Sequence, residues 1–271
     1  HMHNNNYLKL IFLISKVLIN IYFIGGVILN FSYKLGIDIG STTIKLVVLD
    51  NDNQVVYKKY MRHLSEIYKS MHDNMILLSD TLKNHKFTCA ITGSAGMGMA
   101  NNLNMPFVQE VIACSKAVKN WIPQTDVAVE LGGEDAKITY FGSAPEQRMN
   151  GVCAGGTGSF IDHMASLLNT DAMGLNELAQ KGTQIYTIAS RCGVFAKTDV
   201  QALLNDGVSK ADIALSILQA VVNQTIGNLA QGRPLEGNIA FLGGPLYFLT
   251  QLKERFIKTL KLTDEHIVNV D

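Results

Sequence analysis

A carboxylate inside an apolar run needs a chemical reason, and this sequence holds one early. In Gly36-Ile37-Asp38-Ile39-Gly40-Ser41-Thr42-Thr43-Ile44-Lys45 an acid stands between isoleucines and is followed by a turn of hydroxyls. An unpaired carboxylate in such a setting is costly, so Asp38 requires a cation, a hydrogen-bond cage or exposure at a cleft. A hydrated Mg²⁺ on a nucleotide meets that need, because this ion keeps waters and borrows one or two carboxylates. Gly40 lets the backbone approach a phosphate, Ser41, Thr42 and Thr43 offer hydroxyl and amide donors, and Lys45 adds charge. Read alone, the same turn has a plainer account: a hairpin with a capped aspartate.

Glu130-Leu131-Gly132-Gly133-Glu134-Asp135-Ala136-Lys137 repeats the logic with an acid at a strand end, two glycines and then polar groups. Gly243-Gly244 follows a third apolar stretch. Three glycine turns at strand ends suit two phosphate loops and an adenosine loop.

Two cysteines open predicted helices. Cys153 precedes Ala154-Gly155-Gly156-Thr157-Gly158, and Cys192 precedes Gly193. At a helix N-terminus the unpaired amides and the dipole stabilise a thiolate. The residues alone leave two accounts, ligands of an anionic iron–sulfur cluster or inert buried thiols. Cys89 in a predicted strand, Cys114 in an apolar helix and Trp121 at a helix end read as packing, and His163 as a surface or capping residue. Asp199 suits a cleft or a solvated helix face equally.

The elements that must position these groups follow from periodicity. Strands are expected over 35–39, 44–49 and 54–60 as a meander, then a helix over 64–84, a strand over 87–92 and helices over 95–102 and 109–121. A second strand–turn–strand unit covers 127–131 and 136–141. Helices follow over 157–168, 175–181, 194–204 and 210–231, then a strand over 238–242 and a helix to about residue 260. Two such units, each opening a stretch of mixed α/β texture, imply a duplicated fold with lobes at 33–125 and 126–271 and a ligand cleft between them. The second lobe is expected to lack its C-terminal end.

Composition bounds the rest. Charged residues make up 17% of 271 and cancel to a net charge of zero, so nothing supplies the basic footprint that nucleic acid requires. Four scattered cysteines do not form a secreted disulfide framework, which points to a reducing cytoplasm. The apolar run 10–31 is long enough to span a bilayer. Lys16 near its middle would cost about 2.5–3.5 kcal/mol there, which argues against a membrane anchor. Residues 1–32 are therefore set aside as a tag remnant and apolar leader.

GIDIGSTTIKLVVLD, ELGGEDAKITYF and IAFLGGPLYFL resemble the first phosphate, second phosphate and adenosine motifs of the actin, sugar-kinase and heat-shock ATPase superfamily. NGVCAGGTGSFIDHMA and IASRCGVFAKTDV are similar to one branch, the activator ATPases of 2-hydroxyacyl-CoA dehydratases and their benzoyl-CoA reductase relatives. The likeness covers nearly all of 33–260. It departs where the branch's second phosphate motif opens with Asp and reads Gly-Gly-Gln-Asp, since this chain has Glu130 and Glu134.

The resemblance implies a two-lobed α/β fold of the actin-like and ribonuclease H-like type. It implies Mg-ATP hydrolysis, with Asp38, Glu130 and Asp135 catalytic. Gly40, Ser41, Thr42, Thr43, Lys45, Gly132, Gly133, Gly155, Gly156, Gly243 and Gly244 would line the nucleotide site. It also implies a 4Fe–4S cluster held by Cys153 and Cys192 and shared across a homodimer. An acyl-CoA dehydratase or reductase would be the partner, and a ferredoxin or flavodoxin the electron donor. The rivals are a sugar kinase of the same superfamily, for which no distinct sugar motif is present, and a non-catalytic nucleotide-binding module.

Overall fold

The computed structural model describes residues 33–82, 86–150, 155–189 and 192–270. The leader 1–32 and Cys153 lie outside the described residues. The chain divides between Ala113 and Cys114 into two compact units.

The first unit is built on strands β1 (Tyr33–Ile39), β2 (Thr43–Leu49), β3 (Val55–Arg62) and β4 (Phe87–Thr92), in the order β3-β2-β1-β4. β2 is antiparallel to both β1 and β3, and β4 lies parallel to β1. Strand alternation sends Leu35, Ile37 and Ile39 to the core, where they meet Ile44, Leu46 and Val48. Each of these apolar side chains contributes about 1.5–3 kcal/mol by burial. Gly36 and Asp38 fall on the opposite face by the same alternation. Helix α1 (Ile67–Thr81) closes the core with Met71, Met75 and Leu78, and α2 (Gly96–Leu103) with Met99 and Ala100. Helix α3 (Glu110–Trp121) follows.

The second unit repeats this topology. Strands β5 (Val127–Leu131), β6 (Ala136–Tyr140), β7 (Glu146–Met149) and β8 (Ile239–Leu242) take the order β7-β6-β5-β8, with the short β9 (Ile267–Val268) added beyond β8. Here the sheet is covered on both faces. One face meets the large core formed by α4 (Gly158–Leu167), α5 (Ala172–Gln180), α6 (Gly193–Asn205), α7 (Lys210–Thr225) and α9 (Thr250–Leu260). The other carries a small cluster of Ala128, Ala240 and Val268.

The stretch Lys210–Ala230 is long and apolar enough to cross a bilayer, yet most of it is enclosed by the unit's own core. Its last turn, Ile226–Ala230, widens to π geometry and ends at Gln231 with φ 48°. Arg148 Nη1 donates to the carbonyls of Leu229 (3.3 Å) and Ala230 (2.6 Å) there, which satisfies acceptors that a helix end leaves open.

The expected duplication is present. Several elements differ from expectation, three of them in ways that bear on the site or its supports. β7 is an additional strand that its composition, Glu-Gln-Arg-Met, conceals. The helix expected from 64 begins only at Ile67, after two residues with positive φ, Leu64 and Ser65. The last helix is two, α8 (Gly244–Phe248) and α9, which part at Leu249.

Candidate nucleotide site

The duplication places one constellation in each sheet. In the first, Asp38 is the register partner of Lys45 on β2 and of Thr92 on β4. In the second, Glu130 partners Lys137 on β6 and Leu242 on β8. The residue after the β4 partner is Gly93, and the residue after the β8 partner is Gly243. Both have positive φ, 98° and 89°. A Cβ on Gly93 would lie 2.3 Å from the Ile39 carbonyl oxygen and 2.4 Å from Asp38 Oδ1. A Cβ on Gly243 would lie 2.1 Å from the Leu131 carbonyl oxygen. Each glycine is thus required twice, by backbone conformation and by close approach. Gly93 was not among the residues singled out from the sequence. The signal was its place directly after an apolar strand, where Gly243 also stands.

The first turn closes through Gly40 N–H to the Thr43 carbonyl at 2.9 Å. Ser41 and Thr42 are half-buried at its tip, and Thr43 is buried beneath it. Lys45 Nζ lies 2.6 Å from Asp38 Oδ2. The other carboxylate oxygen, Oδ1, is buried without a hydrogen-bond partner among the described residues, and so is Thr92 Oγ1. Two orphaned oxygens on paired residues are a donor set that suits a hydrated hard cation, whose waters supply the missing hydrogen bonds.

The second turn closes the same way, Gly132 N–H to the Asp135 carbonyl at 2.7 Å. The start of α4 docks on it, with Gly158 N–H donating to the Gly132 carbonyl (2.9 Å) and Ser159 N–H to the Gly133 carbonyl (2.7 Å). Lys137 is nearly sealed off, its ammonium 4.0 Å from Glu130 Oε1 and 3.9 Å from Asp135 Oδ2. Its charge lets two carboxylates share one turn. Gly243 and Gly244 open α8, and Pro245 Cγ comes within 3.3 Å of where a Gly158 side chain would begin. Gly132, Gly133, Gly158, Gly243 and Gly244 therefore gather at one end of the second sheet.

Gly155 and Gly156 are buried just ahead of α4. Gly156 has φ 79°, and a Cβ there would stand 3.1 Å from Gln224 Cγ on α7. Asp199 Oδ2 accepts from Ala189 N–H at 2.7 Å, which assigns it to holding the preceding segment.

Cys192 occupies the N-cap of α6, part-buried and with no hydrogen bond from its side chain to the helix. Gly193 beside it opens to free space, and Val194 and Phe195 are 72% and 66% exposed. Cys89 packs against the first core, and burial pushes its thiol up to about 12. Among the described residues no group of three or more His, Cys, Asp or Glu side chains is arranged to hold a metal ion.

Two sheets of one topology, each ending in an acid, a glycine turn and a left-handed glycine, define the actin-like ATPase fold. Known proteins agree. The model of the BadF/BadG/BcrA/BcrD ATPase family matches residues 35–265, and the chain belongs to that family. It is 29% identical over 225 residues to the (R)-2-hydroxyglutaryl-CoA dehydratase activating ATPase of Acidaminococcus fermentans, covering 78% of this chain and 82% of that one. It is 29% identical over 218 residues to the activator of lactoyl-CoA dehydratase of Anaerotignum propionicum, covering 78% and 83%. The crystal structure of the Acidaminococcus fermentans (R)-2-hydroxyglutaryl-CoA dehydratase component A superposes with a TM-score of 0.76 at 26% identity, over 87% of this chain and 90% of that one. The fold is shared as well by the activator of the 2-hydroxyisocaproyl-CoA dehydratase from Clostridium difficile, with bound ADPNP, at a TM-score of 0.73 and 23% identity over 87% of each chain.

Proposed function

We propose that this chain hydrolyses ATP to drive delivery of a low-potential electron to a 2-hydroxyacyl-CoA dehydratase or a related acyl-CoA reductase. The observation that carries the reading is the acid–lysine rung beside a glycine turn, repeated in both sheets of a chain from this ATPase family.

Phosphoryl transfer to water asks a protein mainly for positioning and charge neutralisation. Asp38 and Thr92 would hold a hydrated Mg²⁺, which when bound would neutralise charge on the phosphate oxygens. Lys45, paired with Asp38 at 2.6 Å, supplies positive charge for a phosphate beside the turn. Ser41, Thr42 and the Gly133 amide hold the phosphate chain, on turns that Gly40 and Gly132 close with their own amides. Glu130 or Asp135 orients the attacking water, both within 4.0 Å of the Lys137 ammonium. Gly243 and Gly244 frame the adenosine.

Cys192 and Cys153 would hold a 4Fe–4S cluster together with the same two cysteines of a second copy. The cluster when bound supplies a one-electron carrier. Support comes from the setting of Cys192: a thiol aligned with the positive end of α6, beside exposed Val194 and Phe195 that a second copy would cover. Slow hydrolysis timed by docking of the dehydratase then couples ATP to electron passage. A ferredoxin or flavodoxin reloads the chain in the cytoplasm.

Anaerobic reconstitution with iron and sulfide tests the reading. Wild-type protein and Cys89→Ser should hold about four iron atoms per two chains, and Cys192→Ser and Cys153→Ser none. Retention of iron by Cys192→Ser, or its loss from Cys89→Ser, would refute the shared cluster.

A further inference from the structure

A phosphate loop works by the fixed placing of its amides, so each glycine turn needs something that holds it. In the second unit the Gly132 carbonyl is held by a backbone amide, that of Gly158 on α4. Among the described residues no helix amide reaches the register-equivalent carbonyl in the first unit, that of Gly40. It accepts instead from a side chain, Nε2 of His63, at 3.1 Å.

His63 stands immediately beyond β3 and is only 4% exposed. Its own amide donates to the Thr42 carbonyl at 3.1 Å, on the same turn. Its Nδ1 accepts from the Ser65 amide at 3.1 Å. Because an N–H cannot point at another N–H, Nδ1 carries no proton and Nε2–H donates to Gly40, which makes this a neutral imidazole in one tautomer. The backbone gives way to achieve this. Leu64 and Ser65 both adopt positive φ, 47° and 65°, a region that L-residues with a Cβ seldom enter, and Leu64 is left 80% exposed. In the second unit the residue immediately beyond β7, Asn150, has a similar duty. Its Oδ1 accepts from Ala136 N–H (2.7 Å) and its Nδ2 donates to the Glu134 carbonyl (3.2 Å).

We infer that His63 is a positioning residue of the first phosphate turn, holding the Ser41 and Thr42 amides at its tip in the orientation that receives a nucleotide phosphate. The inference rests on the proposed nucleotide reading. The imidazole touches no substrate; it acts through Gly40 and Thr42.

Two conservative replacements separate its bonds. A glutamine amide reaches the place of Nε2–H, whereas an asparagine carbonyl replaces only Nδ1. Mg-ATP affinity, measured by calorimetry on the full chain, should stay within about threefold of wild type in His63→Gln and fall about tenfold in His63→Asn, the ratio one ordinary hydrogen bond commands. Thermal unfolding of the two variants should agree, and the imidazole ¹⁵N spectrum of the wild type should show a bare Nδ1 and a protonated Nε2. Equal affinity in His63→Asn and wild type would overturn the assignment, as would an Nδ1–H tautomer. Losses in both variants that follow lowered unfolding temperatures would overturn it too, because the role would then be structural alone. Wild-type protein that binds no Mg-ATP would instead sink the proposed function, and the role of His63 with it.

Discussion

Asp38 and Thr92 are register partners on neighbouring strands, and each buries an oxygen, Oδ1 and Oγ1, that no described residue satisfies. A buried unsatisfied polar atom costs about 1–3 kcal/mol, so these two side by side are the observation behind the proposed cation site.

Thr92→Val removes one of these oxygens at nearly constant volume. Without nucleotide the variant should unfold later than wild type, a gain of about 1 kcal/mol. Its stabilisation by Mg-ATP should shrink, with affinity down about tenfold. Thermal unfolding with and without Mg-ATP measures both, and an undiminished nucleotide shift would remove Thr92 from the site.

Gly93→Ala and Gly207→Ala distinguish strain from collision. Both glycines have positive φ, 98° and 75°, but space around Gly207 is open whereas a Cβ at Gly93 would strike Ile39 and Asp38. Gly207→Ala should cost about 1 kcal/mol of stability. Gly93→Ala should cost about 3 kcal/mol or more and abolish ATP binding, because Asp38 must move. Denaturant unfolding that ranks the two alike would contradict the close approach.

The two lysines of the rungs should respond differently. Lys137 has 4% of its side chain exposed beside two carboxylates, and Lys45 has 35%. Lys137→Met should therefore destabilise the fold by about 1–2 kcal/mol, the cost of leaving the part-buried Glu130 and Asp135 to repel one another without a shared counter-charge. Lys45→Met should leave unfolding almost unchanged and weaken ATP binding. Comparable unfolding midpoints for both would show that Lys137 does not support its turn.

Much of this arrangement is legible in the sequence because the signals are local. Asp38 is an acid among isoleucines, and Gly243 follows an apolar strand, so periodicity and turn chemistry locate both. β7 is not legible, since an edge strand with one partner needs no apolar alternation, and Glu146 and Arg148 read as loop. Nor is His63, whose inward turn depends on two left-handed residues after it, a conformation that neither Leu64 nor Ser65 announces. Thr92 Oγ1 becomes notable only once β4 lies beside β1, a pairing between residues far apart in the chain.

Cys89 gives the chain a pH signature at the alkaline end. Burial raises its thiol from the ordinary 9.0 to about 12. Below pH 9 the thiol is protonated both folded and unfolded and is neutral to stability. Between about 9 and 12 only the unfolded chain releases the proton, so folding stability falls as pH rises. Cys89→Ala should flatten this decline in unfolding experiments from pH 8 to 11. A decline of the same slope in wild type and variant would place its source elsewhere.

The fate of the ATP γ-phosphate tests the central claim most directly. With γ-labelled Mg-ATP and a panel of N-acetylhexosamines present, wild-type protein should release all label as inorganic phosphate, slowly. Asp38→Ala, folded to the same unfolding temperature, should release it about a hundredfold more slowly or not at all. Label transferred to a sugar, or wild-type rates in Asp38→Ala, would contradict the account.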